Sequence, residues 1–364
     1  MLTAEWCAIR RKRFLEQFGN EKSFQWICIS HPLHLNYLSN FFVDPISLNA
    51  GYSGLLMLRE DGFSRIYHDD RLKSSANHAF ADECVSIPWY DGKSPGKGSR
   101  LSVFDNLIRS NPDFFNHSDL LTNISSPTIN KILTNQRRQK DIDETLIIRN
   151  CIAATEAGHA WASENVRPGM TELDVYSGIA SACNKQAGQA VIVYGDFAVS
   201  PGPNRRGGPA TNKTLKLGDM LILDFSVVIH GYRSDFTNTI VVGKIPSSDQ
   251  KKLFDLCWNA MKEGEKKLKS GTDCLSVYQA VKGVFEKAGV GDYFPHHAGH
   301  GLGLGHPEAP FFVIQANESL LENDVVTLEP GLYIEGIGGI RIENNYLIQK
   351  ESFETLTHHI ISLI

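Results

Sequence analysis

The chain has 364 residues, room for about two domains, with 42% apolar and 21% charged residues, the balance of an ordinary globular protein rather than a disordered or fibrous one. Its formal net charge of −5 argues against a nucleic acid or an anionic membrane as partner. No apolar run approaches the ~18 residues of a membrane span, the first residues lack a signal-peptide core, and the seven cysteines include no C-x-x-C pair, so free thiols in a reducing, cytoplasmic setting are expected.

Residues 1 to about 20 read as a helix with Trp6, Ile9, Arg13 and Phe14 near one face and the basic run Arg10, Arg11, Lys12, Arg13 as its solvated side. Strands are expected over 24–29, 52–58 and 64–68, the last two separated by the turn signal Glu60-Asp61-Gly62. Residues 91–99, DGKSPGKGS, read as a loop. The alternation describes a small α/β domain over 1–140, and the polar run 135–144, NQRRQKDIDE, marks the boundary to a second domain, 141–364.

Beyond it a helix over 145–166 stops at Arg167-Pro168-Gly169. A second runs over 172–187, with Thr171 as N-cap and Gly188 as stop. A strand over 190–199 and a loop over 201–209 follow. Residues 221–242, LILDFSVVIHGYRSDFTNTIVV, read as a hairpin turning at His230-Gly231. Paired positions then sum to 461, so Asp224 faces Thr237 and Asp235 faces Ser226. With side chains alternating, Asp224 and Asp235 share one face as diagonal neighbours. Two carboxylates that close repel unless a cation sits between them. A solvated hairpin with two surface acids is the plain alternative for this stretch by itself.

The pattern then repeats. Ser247 and Gln250 form a capping box for a helix to about Lys269, and another helix runs over 273–288. At an offset of 102 Gly169 falls on Gly271, and LDVY at 173–176 falls on LSVY at 275–278. Each copy leads to an acidic hairpin, the second over 325–348 with Glu329 and Glu343. A duplicated helix–helix–hairpin unit would set both hairpins about one pseudo-two-fold axis.

Between the last helix and that hairpin lies HHAGHGLGLGHPE, with His296, His300, His306 and Glu308 among glycines that let the backbone approach a ligand. A phosphate-binding loop is the competing reading, but no P-loop Lys-Ser/Thr follows. Four carboxylates and an imidazole suit two divalent cations, with manganese, cobalt, iron and zinc all admissible. Two such ions about 3.5–4 Å apart can hold a bridging hydroxide and polarise a carbonyl.

These residues resemble the pita-bread metallopeptidases: methionine aminopeptidase, aminopeptidase P, prolidase and their creatinase relatives. The resemblance is carried by LDFSVVIHGYRSDFTNT, GHGLG, TLEPGLY and GGIRIE, by the eleven-residue spacing of Asp224 and Asp235, and by ISHPLHLNYLSNF in the N-terminal part. It implies an α+β fold: a pita-bread catalytic domain with a pseudo-two-fold repeat after a smaller α/β creatinase-like domain. It implies Asp224 on one metal, His300 and Glu329 on the other, and Asp235 and Glu343 bridging both. Glu329 becomes a proton shuttle, His296 a substrate-binding or intermediate-stabilising residue, and Arg341 the residue that orients bridging Glu343, with Tyr333 either helping it or serving only in packing.

Three positions depart from the family pattern. A histidine usual about seventeen residues before the first aspartate is missing from GPNRRGGP, so Arg205 or Arg206 is either a contact for an anionic substrate group or solvated. The histidine usual seven residues after the metal-binding one is His306, at six, a catalytic candidate followed by Pro307 and Glu308. Ser226 replaces a usual glycine and would narrow the pocket. The leading expectation is an Xaa-Pro dipeptidase or aminopeptidase in which a metal-bridging hydroxide attacks a scissile peptide carbonyl. A family member acting on a small non-peptide substrate is the alternative. A non-catalytic binding protein is a third, opposed by the complete ligand set. A homodimer is expected from the two-domain layout of the relatives.

Overall fold

The computed structural model describes residues 1–43, 54–96, 98–119, 126–243 and 245–364. Two compact units divide the chain, Met1–Arg137 and Arg138–Ile364.

In the first unit Thr3 caps α1 (Ala4–Glu21), and Pro32 opens α2 (Pro32–Ser39). Strands β1 (Trp26–Ile29), β2 (Gly54–Arg59), β3 (Ser64–Asp69) and β4 (Glu83–Ile87) form one sheet in that order, antiparallel except for the parallel β3–β4 pair. Short helices α3 (Lys73–Asn77) and α4 (Asp105–Ser110) and the longer α5 (Pro127–Gln136) complete it. Trp26, Cys28, Met57 and Phe115 form a core cluster in this unit. Tyr52 and Ser53, the expected start of β2, and Lys97 of the 91–99 loop lie outside the described residues.

The basic run on α1 is only in part a solvated face: Lys12 is exposed, but Arg10 is buried and Arg11 and Arg13 are half-buried. The helix buries Cys7, Arg10, Phe14, Leu15 and Phe18, and leaves Trp6 and Ile9 half-buried. Arg10 lies over the Tyr37 ring, and Arg11 donates to the carbonyls of Leu38 (2.9 Å) and Phe80 (2.7 Å). The guanidinium groups there satisfy backbone acceptors near the end of α2, which charge counting along the sequence cannot register.

In the second unit α6 (Ile142–Asn165) and α7 (Glu172–Ala187) pair, as do α8 (Ser248–Glu265) and α9 (Cys274–Lys287). Helices α7 and α9 begin 102 residues apart. Each is preceded by a glycine at positive φ, Gly169 and Gly271, and capped at the equivalent residue, Thr171 and Asp273. Helix α8 stops at Glu265, short of the expected Lys269.

Strands β5 (Ile192–Val199), β6 (Met220–Ile229), β7 (Tyr232–Arg233) and β8 (Phe236–Val241) make one sheet, with β6 central to β5, β7 and β8. The turn at His230-Gly231 has positive φ at both residues, as a tight two-residue hairpin requires. Strands β9 (Gly299–Gly301), β10 (Glu308–Phe312), β11 (Val325–Leu328), β14 (Asn344–Ile348) and β15 (Phe353–Thr355) form a five-stranded sheet, and β12 (Gly331–Ile334) pairs with β13 (Gly338–Arg341). Residues 325–348 are therefore a broken hairpin, interrupted at Glu329-Pro330 and again at Ile342-Glu343. The two copies are sewn together by Glu343 N–H donating to the Thr237 carbonyl (3.0 Å) and Thr239 Oγ1 donating to the Arg341 carbonyl (2.7 Å).

The polar run before α6 is also buried rather than solvated. Arg138 pairs with Asp324 (2.6 Å) and Glu318 (3.1 Å), and Lys140 pairs with Glu308 (2.9 Å). No helix among the described residues is long and apolar enough to cross a membrane, and no disulfide joins them.

Candidate active site

Backbone geometry gathers the carboxylates. Asp224 stands in the middle of β6 opposite Thr237 of β8, while Asp235, Glu329 and Glu343 fall where strands are interrupted. A side chain at such a break is freed from strict up-down alternation and can turn inward. Asp224, Asp235 and Glu343 each offer an oxygen within 4.8 Å of the others, and Asp235, His300 and His306 offer a second such trio. His300 comes from the close-packed strand β9, where a Cβ on Gly301 would lie 2.1 Å from the Ala309 carbonyl oxygen. Its Nδ1 faces the Gly301 carbonyl at 2.9 Å, which assigns the proton to Nδ1 and leaves the Nε2 lone pair directed at the carboxylates. That Nε2 lies 3.5 Å from both Asp235 and Glu329.

The electrostatics are those of crowded anions. Burial first, and then Asp235, Asp196 and Glu329, push the Asp224 carboxyl up to about 7 against the lowering effect of Arg341. Burial first, and then Asp235, Glu329 and Asp224, hold Glu343 well above the usual range. Burial would also raise Glu329, but His297, His300 and His296 outweigh it and keep this carboxyl low. Glu343 accepts from Thr237 Oγ1 through Oε2 (2.7 Å), yet its buried Oε1 has no hydrogen-bond partner. An orphaned buried oxygen amid repelling carboxylates is the signature expected of a cation site, and the oxygen-rich donor set with imidazole fits a divalent transition ion.

Asp224, Asp235, His300 and Glu329 line a cavity of about 360 Å³, together with Asp196, Arg206, Ser226, His296, His306 and Tyr333 among others. Ser226 Oγ donates to Asp235 Oδ1 (3.3 Å). His306 Nε2 lies 2.6 Å from Asp235 Oδ2. His296, pushed down to about 4 chiefly by burial, turns Nδ1 toward the His297 carbonyl (2.8 Å) and Nε2 toward the Tyr333 hydroxyl (3.2 Å).

Two expectations are corrected. Arg341 does not orient Glu343. It donates to Tyr333 Oη (2.8 Å), to Asp196 Oδ2 (2.6 Å) and to Asp224. The guanidinium therefore sets Asp224, and the threonine opposite Asp224 takes over Glu343. Arg205 does not face a substrate. It forms two 2.8 Å bonds to the carboxylate of Glu172, whose side chain is fully buried, and so ties the loop to α7. Arg206 does line the cavity, and no ion pair or hydrogen bond of it is found among the described residues.

Sequence reasoning missed Asp196 and His297. Asp196 faces Asp224 across the β5–β6 ladder. Gly207, seventeen residues before Asp224, stands where the family histidine is usual, and a Cβ there would lie 1.9 Å from Asp196 Oδ2. The glycine is thus matched to the carboxylate, and alternation along β5 was the available signal. His297 brings Nδ1 to 3.2 Å from Glu329, and Glu329 draws its pKa up despite burial. Its only sequence mark was adjacency to His296.

A carboxylate–imidazole centre where two duplicated hairpins meet defines a metallopeptidase. The profile described as metallopeptidase family M24 matches residues 147–350, and the chain belongs to that metal-dependent family. "Putative dipeptidase YkvY" of Bacillus subtilis (strain 168) is 32% identical over 370 residues, covering 98% of each chain. Among solved structures, the Xaa-Pro dipeptidase from Bacillus anthracis superposes with a TM-score of 0.79 at 24% identity, covering 100% of this chain and 99% of that one. The prolidase from Pyrococcus horikoshii OT3 gives 0.77 at 21%, covering 98% and 100%. The fold is accordingly the two-domain pita-bread fold.

Proposed function

We propose that the chain is a dinuclear metal-dependent Xaa-Pro dipeptidase, with the names of its relatives as support and one observation carrying the reading: Asp224, Asp235 and Glu329 of the carboxylate cluster line the same cavity as Arg206, a cation with no ion pair among the described residues. Asp224 would hold one ion, His300 and Glu329 the other, and Asp235 and Glu343 would be shared. When bound, manganese, cobalt, zinc or iron supplies Lewis acidity and lowers the pKa of water.

The chain's own groups do the rest. Arg341 fixes Asp224 and, through Tyr333, the ring of His296. His296 is neutral at pH 7 and lines the substrate cavity, so it positions rather than donates charge. Glu329 Oε1, beside His297, is placed to take a proton from the attacking water and pass it to the leaving amine. Arg206 is the docking point for the C-terminal carboxylate of a dipeptide. Its neighbours are braced, Arg205 on Glu172 and Gly208 N–H on Asp196 Oδ1 (2.8 Å), so the guanidinium sits on a fixed loop. By the family resemblance the protein works as a homodimer in the cytoplasm. The Gly207–Asp196 match, replacing the usual histidine, favours a second reading: a small non-peptide substrate.

The test is hydrolysis by chelator-stripped protein with manganese, cobalt or zinc restored, on Xaa-Pro dipeptides, their C-terminal amides and Xaa-Pro tripeptides. Metal-dependent cleavage of dipeptides is expected. Arg206→Gln should raise KM for the dipeptide by about tenfold or more, the worth of a charge-assisted hydrogen bond, and leave the amide unaffected. Tight metal binding without cleavage of any Xaa-Pro peptide would move the assignment to the non-peptide substrate.

A further inference from the structure

His306 lies six residues after His300, and the loop between them brings donor atoms of both imidazoles and of Asp235 within 4.8 Å of one another. Its Nε2 lies 2.6 Å from Asp235 Oδ2, and His300 Nε2 lies 3.5 Å from the same oxygen. Two donor atoms each about 2.1 Å from one ion and at right to tetrahedral angles are separated by roughly 3.0–3.5 Å. The His300–Asp235 separation falls at the edge of that range. The His306–Asp235 separation is shorter, the length of the hydrogen bond that joins the pair without an ion.

The position of His306 is built. Glu308, two residues on, is held by Lys140 (2.9 Å) and accepts from Gly305 N–H (3.0 Å). Arg233 donates to the Leu304 carbonyl (3.1 Å). The loop is therefore clamped on both sides of His306. The His306 ring stands 5.3 Å from that of His300 and edge-on to Tyr194 at 5.9 Å, with its side chain only a quarter exposed.

Resting on the reading that this cluster binds divalent ions, we propose that His306 is a metal ligand, a second imidazole beside His300 on the ion they share with Asp235 and Glu329. One ion of the pair would then have two nitrogen donors. That site favours zinc or cobalt over manganese more strongly than a site with one imidazole does. His306 becomes a holder of the ion rather than a carrier of protons.

X-ray absorption on metal-stripped protein given one equivalent of cobalt tests this without recourse to activity. Two imidazoles per cobalt are expected in the native protein and one in His306→Gln. Calorimetry should show His306→Gln losing at least tenfold in cobalt or zinc affinity at one site, with a smaller loss for manganese. One imidazole in both proteins, with unchanged affinities, would overturn the proposal while leaving the metal centre intact. Failure of the native protein to bind cobalt would overturn both. The native imidazole count is informative even if the variant folds poorly.

Discussion

At the scale of single residues, Asp235 is the group on which most of the site converges. It accepts from Ser226, meets His306 and His300, and its backbone carbonyl accepts from Asn345. If it and Glu343 bridge two ions, Asp235→Ala and Glu343→Ala should each abolish tight binding of the second ion. Calorimetric titration still giving two tight sites would remove the bridging assignment. The core should survive both changes, since these carboxylates repel one another without metal. The candidate ligands were legible because motif spacing survives in the sequence. The supporting contacts were not. Arg341 reaches across to Asp224 of another strand pair, and Arg205 reaches back to Glu172 of α7. Such pairs are fixed by how elements pack, which one sequence does not display. The buried Arg10 failed for the same reason.

At the scale of elements, the ends of helices were readable because caps are local. Thr171 and Asp174 exchange both capping-box bonds (3.1 and 2.8 Å), and Asp273 caps the repeat partner by accepting from Leu275 N–H through its carboxylate (3.2 Å). Thr171→Ala and Asp273→Ala should each cost about 1 kcal/mol in urea unfolding monitored by circular dichroism. A loss in one copy only would show that the duplicated helices no longer share their mode of support. The interruption at Glu329-Pro330 carried a signal in Pro330-Gly331, since proline cannot donate to a ladder. That at Ile342-Glu343 carried none, and only the pairing of β11 with β14 and of β12 with β13 reveals the gap that frees Glu343.

At the scale of the whole molecule, buried histidines set the acid limit. Burial, first, and His359 hold His159 well below its ordinary value, and burial pushes His359 down to about 4. His159 stacks on Phe225 and Phe236, and both rings face backbone carbonyls. A histidine with a depressed folded pKa binds its proton only in the unfolded chain between the two values. Its contribution is therefore full above about 6.5 and is lost as pH falls below that, down to about 4 for His359, at about 1.4 kcal/mol per pH unit for each ring. Unfolding free energies from pH 7.5 to 5 should show this slope, reduced by one proton's worth in His159→Phe. An unchanged slope would exclude His159 as a source. Finally, Arg138 and Lys140 alter what the run 135–144 means. Its composition invites a cut, yet Lys140 props Glu308 beneath the histidine loop. A catalytic half begun at Asp141 would keep every candidate ligand and lose this splint. Its fault would then surface as weakened grip on cobalt or zinc, although the severed bond lies in what reads as a connector.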